Sequence, residues 1–349
     1  MVAVGLAVVL AGCGTSSTQP SGAERFVQAS AGYAHACALT GGGSVLCWGD
    51  DRWGQVSGQP GSLVFAPVTA IPLPVRAVAV SAGALTSCAV AATGETLCWG
   101  DSLSGLWRIA GSGELSEVHA GAPTCGLTSD GSVRCWPKLD GPSVSVVGGP
   151  YHGLGVGRLQ SCALQADSTA VCWPSDLTTP PSPVPGGIHF AVISVGGEHV
   201  CGVDGTGSAL CWGANEFGQL GDDSTTPRAT PGAMHVPSGA TGDTIIRVFA
   251  GDQHSCGLGL DSLAYCWGRR EGGRDGLGDP DTGSVAYNFV PFAVHSSIKW
   301  DSLLLGGLMS CGYAANVLYC WGGNTYGSDG ALHGVPNAVP VPVDGQEIP

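Results

Sequence analysis

Short apolar runs that end in glycine recur along the chain and predict β-strands. Examples are residues 26–32 (Phe-Val-Gln-Ala-Ser-Ala-Gly), 77–83 and 246–251. A segment with two cysteines follows each run, and a glycine-rich stretch often follows the second cysteine. No long segment beyond the N-terminal region repeats its apolar residues with a helical period, so no helix is predicted there. Each unit is therefore predicted to contain a strand, a glycine turn, a strand, a hairpin, a strand and a loop.

This unit occurs seven times, and a tryptophan always follows its second cysteine directly. Self-similarity over tens of residues is typical of solenoids and propellers. A sheet of three or four short strands cannot bury both of its faces alone, whereas seven sheets around an axis bury one another. We therefore predict an all-β ring of seven small sheets. The cysteine pairs are Cys37 with Cys47, Cys88 with Cys98, Cys125 with Cys135, Cys162 with Cys172, Cys201 with Cys211, Cys256 with Cys266, and Cys311 with Cys320.

The spacing within each unit places the two cysteines opposite each other across a hairpin. In the third unit, three residues follow Cys125, a loop occupies 129–131, and three residues precede Cys135. Such a loop favours a left-handed residue at its last position. The last unit has one residue fewer, which fits a two-residue loop at Ala315 and Asn316. The last loop position is held by Gly43, Gly94, Gly131, Ser168, Gly207 and Ser262.

Opposed cysteines in an exported chain are expected to form disulfide bonds. Facing residues on an antiparallel pair lie within reach of such a bond. The rival interpretation is metal ligation, but the cysteines of structural zinc sites are spaced two to four residues apart. We therefore predict seven disulfides, one within each hairpin, rather than a metal site.

The composition agrees with an all-β protein and limits the partners. The chain has 58 glycines and 23 prolines, while only 11% of its 349 residues are charged, which suits many tight turns. Its net charge is −14 and its only lysines are Lys138 and Lys299. Proteins that bind phosphate backbones need clustered lysine and arginine. Nucleic acid is therefore not an expected partner.

The first thirteen residues are typical of a targeting segment. Residues 2–10 are apolar but too few to span a bilayer. They end in Leu10-Ala11-Gly12-Cys13, which resembles the lipobox of bacterial lipoproteins. The resemblance implies that Cys13 is acylated, although no Lys or Arg precedes the apolar run as it normally does in that family. The alternative is a free or disulfide-bonded Cys13 after an ordinary signal.

The odd number of cysteines favours acylation. Fourteen of the fifteen belong to the repeat pairs, and Cys13 is the one left over. The small polar residues that follow suit a flexible tether. We therefore predict a lipoprotein signal peptide at 1–12, a lipidated N-terminus and tether at 13–25, and a seven-repeat domain at 26–349. The protein is expected in a bacterial cell envelope, held by its lipid anchor to the outer membrane or cell surface.

One repeat resembles a known family closely. Residues 196–201 (Gly-Gly-Glu-His-Val-Cys) and 212–221 (Trp-Gly-Ala-Asn-Glu-Phe-Gly-Gln-Leu-Gly) are similar to the repeat of the regulator of chromosome condensation family. Repeats three and four depart from it, because Trp-Pro replaces Trp-Gly and the Asn-x-x-Gly-Gln-Leu-Gly tail is missing. The resemblance covers residues 26–345 and implies a seven-bladed β-propeller with one Cys-Cys hairpin per blade. The nucleotide-exchange activity of the family's founder is not carried over.

The sequence predicts binding rather than catalysis. It contains no Gly-x-Ser-x-Gly, His-Glu-x-x-His, phosphate-binding or calcium-binding motif. His35, His199 and His254 recur two positions before a cysteine, which favours structural hydrogen bonding. We expect a monomeric, non-catalytic scaffold without cofactor or metal that binds a protein or a glycan. The alternatives are a secreted inhibitor of an enzyme and, less favoured, a propeller enzyme with a site assembled from distant residues.

Loop lengths predict where the partner binds. The stretch from each tryptophan to the next cysteine is longer after Trp48, Trp212 and Trp267 than after the tryptophans of repeats two to four. Since all blades need similar strands, the extra residues must form loops, and loops carry recognition. We therefore predict a partner site that contains Trp53, Phe65, Tyr287 and Phe289. We also predict that the segment from 337 onward pairs with the first blade and closes the ring.

Overall fold

The computed structural model describes residues 25–59, 66–101, 103–109, 115–146, 148–235, 244–276, 287–323, 330, 337–344 and 346. Within them the chain forms seven four-stranded sheets, each built from four consecutive strands that lie side by side in chain order. Every pairing is antiparallel, and the seven innermost strands surround one central channel. The prediction of an all-β, seven-bladed propeller is confirmed.

The strands follow the repeat closely. Blade 1 has β1 (Phe26–Ala31), β2 (His35–Thr40), β3 (Val45–Gly49) and β4 (Ala66–Ala70); blade 2 has β5 (Ala77–Ala82), β6 (Thr86–Ala91), β7 (Thr96–Gly100) and β8 (Leu103–Arg108). Blade 3 has β9 (Leu115–His119), β10 (Thr124–Thr128), β11 (Val133–Trp136) and β12 (Val144–Val146); blade 4 has β13 (Tyr151–Val156), β14 (Gln160–Gln165), β15 (Ala170–Pro174) and β16 (Ser182–Pro183).

The last three blades have the same order of strands. Blade 5 has β17 (Phe190–Val195), β18 (His199–Asp204), β19 (Ala209–Gly213) and β20 (Arg228–Ala233). Blade 6 has β21 (Ile245–Ala250), β22 (His254–Gly259), β23 (Ala264–Arg269), a short 3-10 helix (Glu271–Gly273) and β24 (Tyr287–Ala293). Blade 7 has β25 (Ser302–Leu305), β26 (Met309–Ala314), β27 (Val317–Gly322) and β28 (Asn337–Pro342).

The hairpin between the second and third strands has the predicted register. The last loop position has positive φ in glycine and serine alike, with 82° at Gly131 and 62° at Ser262. In blade 7, Ala315 and Asn316 form the two-residue loop with φ of 49° and 66°. The two cysteines of each unit therefore face each other, as Cys125 and Cys135 do in blade 3.

All seven cysteine pairs form disulfides within their own hairpins. In chain order, the bonds join Cys37 to Cys47, Cys88 to Cys98, Cys125 to Cys135, Cys162 to Cys172, Cys201 to Cys211, Cys256 to Cys266, and Cys311 to Cys320. No bond crosses from one blade to another among these fourteen cysteines, so the disulfides follow the predicted pairing.

The core lies between blades rather than within them. Seven apolar clusters of described residues occupy the seven interfaces, and each contains the disulfide of one blade together with the tryptophan of the next. Cys37 and Cys47, for example, cluster with Trp99, and Cys201 and Cys211 with Trp267. A tryptophan buries more area than most side chains, so the repeated Cys-Trp dipeptide supplies both partners of every interface.

The predicted pairing of the C-terminal segment with blade 1 is wrong. Asn337–Pro342 pairs with Val317–Gly322 and is the outer strand of blade 7. Blade 1 already has four strands of its own, because each repeat begins with its innermost strand and ends with its outermost one. The ring instead closes through main-chain hydrogen bonds: Gly307 N–H donates to the Gly32 carbonyl at 3.0 Å and Leu308 N–H donates to the Tyr33 carbonyl at 2.9 Å.

The glycine that follows the innermost strand is required by crowding at the axis in six of the seven blades, Gly121 of blade 3 being the exception. Main-chain hydrogen bonds join successive blades there, for example from Tyr33 N–H to the Gly83 carbonyl at 3.0 Å and from Gly197 N–H to the Gly251 carbonyl at 3.0 Å. A Cβ on Gly251 would lie 2.8 Å from the Gly306 carbonyl oxygen, and a Cβ on Gly306 would lie closer still to that of Gly32. Since the obstacle is backbone, no side-chain rotation relieves it.

Gly306→Ala is expected to lower the free energy of unfolding by about 2 kcal/mol or more, because overpacking at fixed backbone is destabilising. The measurement is equilibrium urea unfolding of the oxidised protein. Gly41→Ala is the matched control, since among the described residues the one atom near its Cβ is Val27 Cγ1 at 3.8 Å. Equal midpoints for the two variants would contradict the requirement for glycine at the axis.

Candidate functional site

The connections of the blades divide between two faces of the ring. Because the strands are antiparallel, the turn from first to second strand and the loop from third to fourth strand lie at the same end of every blade. We call this side the loop face. The hairpins with the disulfides and the blade-to-blade connections lie on the opposite face. The loops between β3 and β4, β19 and β20, and β23 and β24 therefore begin and end on the loop face.

Side chains of the repeat motif fold these long loops. Asp51 Oδ1 accepts hydrogen bonds from the N–H of Val56 at 2.8 Å and of Ser57 at 2.9 Å. Gln55 Oε1 accepts one from Trp53 N–H at 2.9 Å. The loop of blade 5 repeats the pattern, with Asn215, Gln219 and Leu220 bonded in the same way. The motif is thus structural, and it fixes an aromatic residue at the loop tip: Trp53 in one case and Phe217 in the other.

The three repeated histidines connect neighbouring blades. His199 Nε2 bonds to Ser255 Oγ at 2.7 Å, and Ser255 Oγ donates to the Gln219 carbonyl at 2.9 Å. His35 with Ser87 and His254 with Ser310 form the same contact, each at 2.9 Å. Since the serine hydroxyl donates to a carbonyl, Nε2 must carry the histidine proton. All three pairs are fully buried, so they support the fold, as the sequence suggested, and do not face a substrate.

Burial keeps these histidines neutral. It lowers the pKa of His35 and of His199 to about 4, and it lowers the pKa of His254 well below its usual value. The main cause is the loss of solvent around the ring. For His254, the nearby Arg274 adds to the effect. Each histidine therefore donates one hydrogen bond as a neutral group at physiological pH.

The central channel opens on the loop face. Its cavity of about 210 Å³ is lined by a triplet from every blade, mostly alanine, valine and glycine. In each blade a glycine follows the innermost strand, and we call it the ring glycine. The residue after it is polar or charged in three blades: Tyr33, Arg158 and Asp252. Arg158 pairs with Glu198 and, at 3.3 Å, with Asp252. The channel itself is therefore apolar and narrow, and its charges are concentrated at the mouth in blades 4 to 6.

A second polar group lies beside this mouth. Arg269 hydrogen-bonds Gln253 at 2.5 Å, pairs with Glu271, and places its guanidinium 5.0 Å from the centre of the Phe217 ring. A cation over an aromatic face is attracted by the ring quadrupole. Phe217 is half-buried beneath this arginine. The apolar part of the rim includes the exposed Tyr33, Leu85 and Leu159.

The predicted partner residues lie at two places on the ring. Tyr287 and Phe289 lie together in β24, with ring centres 5.1 Å apart, and both are half-buried. Asp223 N–H of blade 5 donates to the Phe289 carbonyl at 3.0 Å. Trp53 is 43% exposed on the loop of blade 1, with blade 7 between it and the pair. Phe65 and Cys13 lie outside the described residues.

Sequence reasoning missed the charged rim. The turn after the ring glycine varies from repeat to repeat, and it contains Arg158, Glu198 and Asp252 in blades 4, 5 and 6. A comparison of that position across the seven units would have found them, because only blades 4 to 6 place charges there. In the described part of the chain, no cluster of three or more His, Cys, Asp or Glu could hold a metal. No helix in that part is long and apolar enough to cross a membrane.

Comparisons with known proteins agree with this fold. Models of the Regulator of chromosome condensation (RCC1) repeat match residues 206–258 and residues 26–55 and 190–219. The chain is 26% identical over 254 residues to the E3 ubiquitin-protein ligase HERC2 of Homo sapiens, covering 66% of this chain but only 5% of the ligase. It is 25% identical over 329 residues to the ultraviolet-B receptor UVR8 of Arabidopsis thaliana, covering 90% of this chain and 69% of the receptor.

Solved structures show the same architecture. Yeast RCC1 (Prp20), solved with Kap60, superposes with a TM-score of 0.56 at 20% identity, covering 91% of this chain and 75% of that one. The CRINKLY WD40 ectodomain of the Arabidopsis thaliana receptor kinase ACR4 gives 0.57 at 20% identity, covering 91% and 99%. At these identities the likeness concerns the fold.

The buried histidines predict a loss of stability in mild acid. Their pKa is about 6.5 in the unfolded chain and lower in the fold, so the unfolded state binds more protons below pH 6.5. The free energy of unfolding should therefore fall between pH 6.5 and about 4, by about 1.4 kcal/mol per pH unit for each histidine. His199→Gln, whose amide can still donate to Ser255, should reduce that slope. Urea titrations across this range test it; a slope unchanged by the substitution would contradict the assignment.

Proposed function

We propose that this chain, a seven-bladed propeller that carries regulator of chromosome condensation repeats, is a non-catalytic module that binds a protein partner with its loop face. The observation that carries the proposal is the way the long loops are built. In blades 1 and 5 the loop is fixed by its own motif side chains, and its aromatic tip remains at the surface. A surface that is rigid before binding loses little entropy when a partner docks.

The chemistry of the face fits a protein. Aromatic and arginine side chains are enriched where binding energy concentrates at protein interfaces. The loop face offers Trp53, the pair Tyr287–Phe289 and the Arg269–Phe217 stack, with Arg158, Glu198 and Asp252 nearby at the channel mouth. Both signs of charge occur there, so a partner with mixed charges is favoured over a uniformly charged polymer.

The compared proteins support a binding role for the fold. The yeast protein was solved together with Kap60, and the Arabidopsis domain is the ectodomain of a receptor kinase. The first is a propeller in contact with another protein, and the second is a propeller of this kind outside the cell. We extend both features to this chain by proposal, because the similarity itself concerns the fold.

The proposed location is a bacterial envelope, with a lipid on Cys13. The seven disulfides support export, since such bonds persist in oxidising compartments. An acylated Cys13 would leave every remaining cysteine paired. The tether at 13–25 would then hold the propeller close to the membrane, with its faces free to meet another envelope protein.

Trp53→Ala should weaken binding to the partner by about 2 kcal/mol, or roughly 30-fold in Kd, because exposed aromatic anchors dominate such interfaces. The partner is first captured by crosslinking in envelope extracts and then titrated in purified form. Tyr287→Ala and Phe289→Ala test the second place on the ring. Leu260→Ala is the control, since this side chain is 66% exposed on the opposite face of blade 6. Loss of affinity in the Leu260 variant alone would contradict the proposal.

Cys13→Ser should move the protein from the membrane fraction to the soluble fraction and should abolish incorporation of a labelled fatty acid. Two or more acyl chains are needed for stable anchoring, and all depend on this one residue. Ser16→Ala, in the tether, should change neither result. A Cys13→Ser variant that stays with the membrane would show that the anchor lies elsewhere.

A further inference from the structure

Two interfaces between blades are bridged by a loop carbonyl. The carbonyl of Gln55 in blade 1 accepts hydrogen bonds from Ser87 Oγ and Trp99 Nε1 of blade 2, both at 2.9 Å. The carbonyl of Gln219 in blade 5 accepts the same two bonds from blade 6, from Ser255 and Trp267, again at 2.9 Å. In each case the serine and the tryptophan face each other across the two central strands. Two buried donors are thus satisfied by one carbonyl of the preceding blade.

Blade 4 has the same two donors but no such acceptor. Ser161 faces Trp173 in the same register, and both are buried. Neither Ser161 Oγ nor Trp173 Nε1 has a hydrogen-bond partner among the described residues. The reason is the preceding blade, in which the short connection 137–143 lacks the Gly-Gln-Leu motif. Trp321 Nε1 in blade 7 is also unpartnered, but Ser310 there donates to the Arg274 carbonyl at 2.8 Å.

A cleft of about 230 Å³ lies beside Trp173, between the outer strand of blade 3 and the loop of blade 4. It is lined by Val144, Ser145 and Val146 of β12, by Trp173, and by 177–181 of blade 4. None of these residues is charged, so the cleft suits a neutral occupant. Its rim includes the exposed Val144 together with Pro180 and Pro181, which favours an occupant with apolar or small side chains.

One residue replaces the missing loop only in part. Leu177 packs against the interface cluster of blades 3 and 4, as Val56 and Leu220 of the long loops do at their interfaces. It does so with φ of 57°, a conformation that is uncommon for residues other than glycine, Asn and Asp. Leu177 thus fills the apolar volume but supplies no acceptor to Ser161 and Trp173. Such a conformation costs free energy, and displacement of the loop would release that strain.

We propose that the cleft between blades 3 and 4 binds the backbone of a turn from a protein partner, one carbonyl of which accepts hydrogen bonds from Trp173 Nε1 and Ser161 Oγ. The turn takes the place that the loops of blades 1 and 5 occupy at their own interfaces, and residues 177–181 move aside for it. This inference rests on the proposed protein-binding function and adds a second contact region, remote from Trp53.

Stability measurements test whether the two donors are unpartnered. Ser255→Ala removes the bonds to His199 and to the Gln219 carbonyl, so its urea midpoint should fall. Ser161→Ala removes a buried hydroxyl without a partner, so its midpoint should stay unchanged or rise. The two serines occupy equivalent positions, which makes the variants a matched pair. If Ser161→Ala is destabilised as much as Ser255→Ala, the hydroxyl is already satisfied in the free protein and the proposal is overturned.

A peptide probe tests the site directly. The acetylated and amidated tetrapeptide Gly-Gln-Leu-Gly, which copies 218–221, is titrated to millimolar concentration into the full chain with nitrogen-labelled tryptophan. The indole N–H signal of Trp173, identified by its loss in Trp173→Phe, should shift downfield and exchange more slowly with solvent. Signals of Trp99 and Trp267 should not move, because their donors already have acceptors. Ser161→Ala should weaken binding of the peptide by about tenfold in Kd, and Leu177→Gly should strengthen that binding.

The outcomes separate this inference from the function on which it rests. An unmoved Trp173 signal at the highest peptide concentration overturns the cleft as a binding site. Partner binding that still depends on Trp53 would then leave the loop-face proposal intact. Conversely, a shift at Trp173 together with partner binding that is unchanged in Trp53→Ala supports the cleft and contradicts the contact site at Trp53.

Discussion

Crowding of backbone at the axis is the constraint on which the rest of the structure depends. Seven innermost strands converge there, each is followed by a glycine, and main-chain hydrogen bonds beside these glycines join five of the seven pairs of neighbouring blades in the described structure. A side chain at this position would collide with main chain, as at Gly251 and Gly306. The hydrogen bonds formed across the gaps are the same at the closing interface, from Gly307 to Gly32, as within the ring. No strand shared between the first and last blades is therefore needed to hold the chain in a circle.

Away from the axis, the disulfide and tryptophan of each repeat do complementary work. The disulfide holds two strands in fixed register, and the tryptophan of the next blade packs in the same cluster. Since each repeat contributes one of each, every interface has both regardless of its loops. This explains how blades 2, 3 and 4 keep their place with short connections while blades 1, 5 and 6 have long ones. The variable loops are thus attached to a frame of disulfides and tryptophans that every blade has, whatever the length of its loop.

The sequence predicted the parts of the structure that are local. The number of residues on each side of the turn at Gly131 or Asn316 determines which residues face each other. The hairpins and disulfides could therefore be derived without a structure. Ring closure could not, because the short apolar segments before each repeat look alike whether they end one blade or begin the next. The channel mouth was missed for another reason: Arg158, Glu198 and Asp252 are far apart in sequence and meet only through the curvature of the ring. The same curvature separates Trp53 from Tyr287 and Phe289, which loop length alone had grouped.

The loop carbonyl links the frame to the surface. In blades 1 and 5, one carbonyl accepts hydrogen bonds from the core serine and tryptophan of the next blade, while the side chain of the same glutamine fixes the loop tip. The position of the tip is therefore coupled to the buried interface, which makes these loops rigid. Where the motif is missing, as in blade 3, the coupling is lost and two buried donors remain without a partner in the described protein. The repeat thus produces two kinds of blade boundary. After blades 1 and 5, the boundary carries a loop with a fixed aromatic residue, whereas the boundary between blades 3 and 4 can accept backbone from a partner.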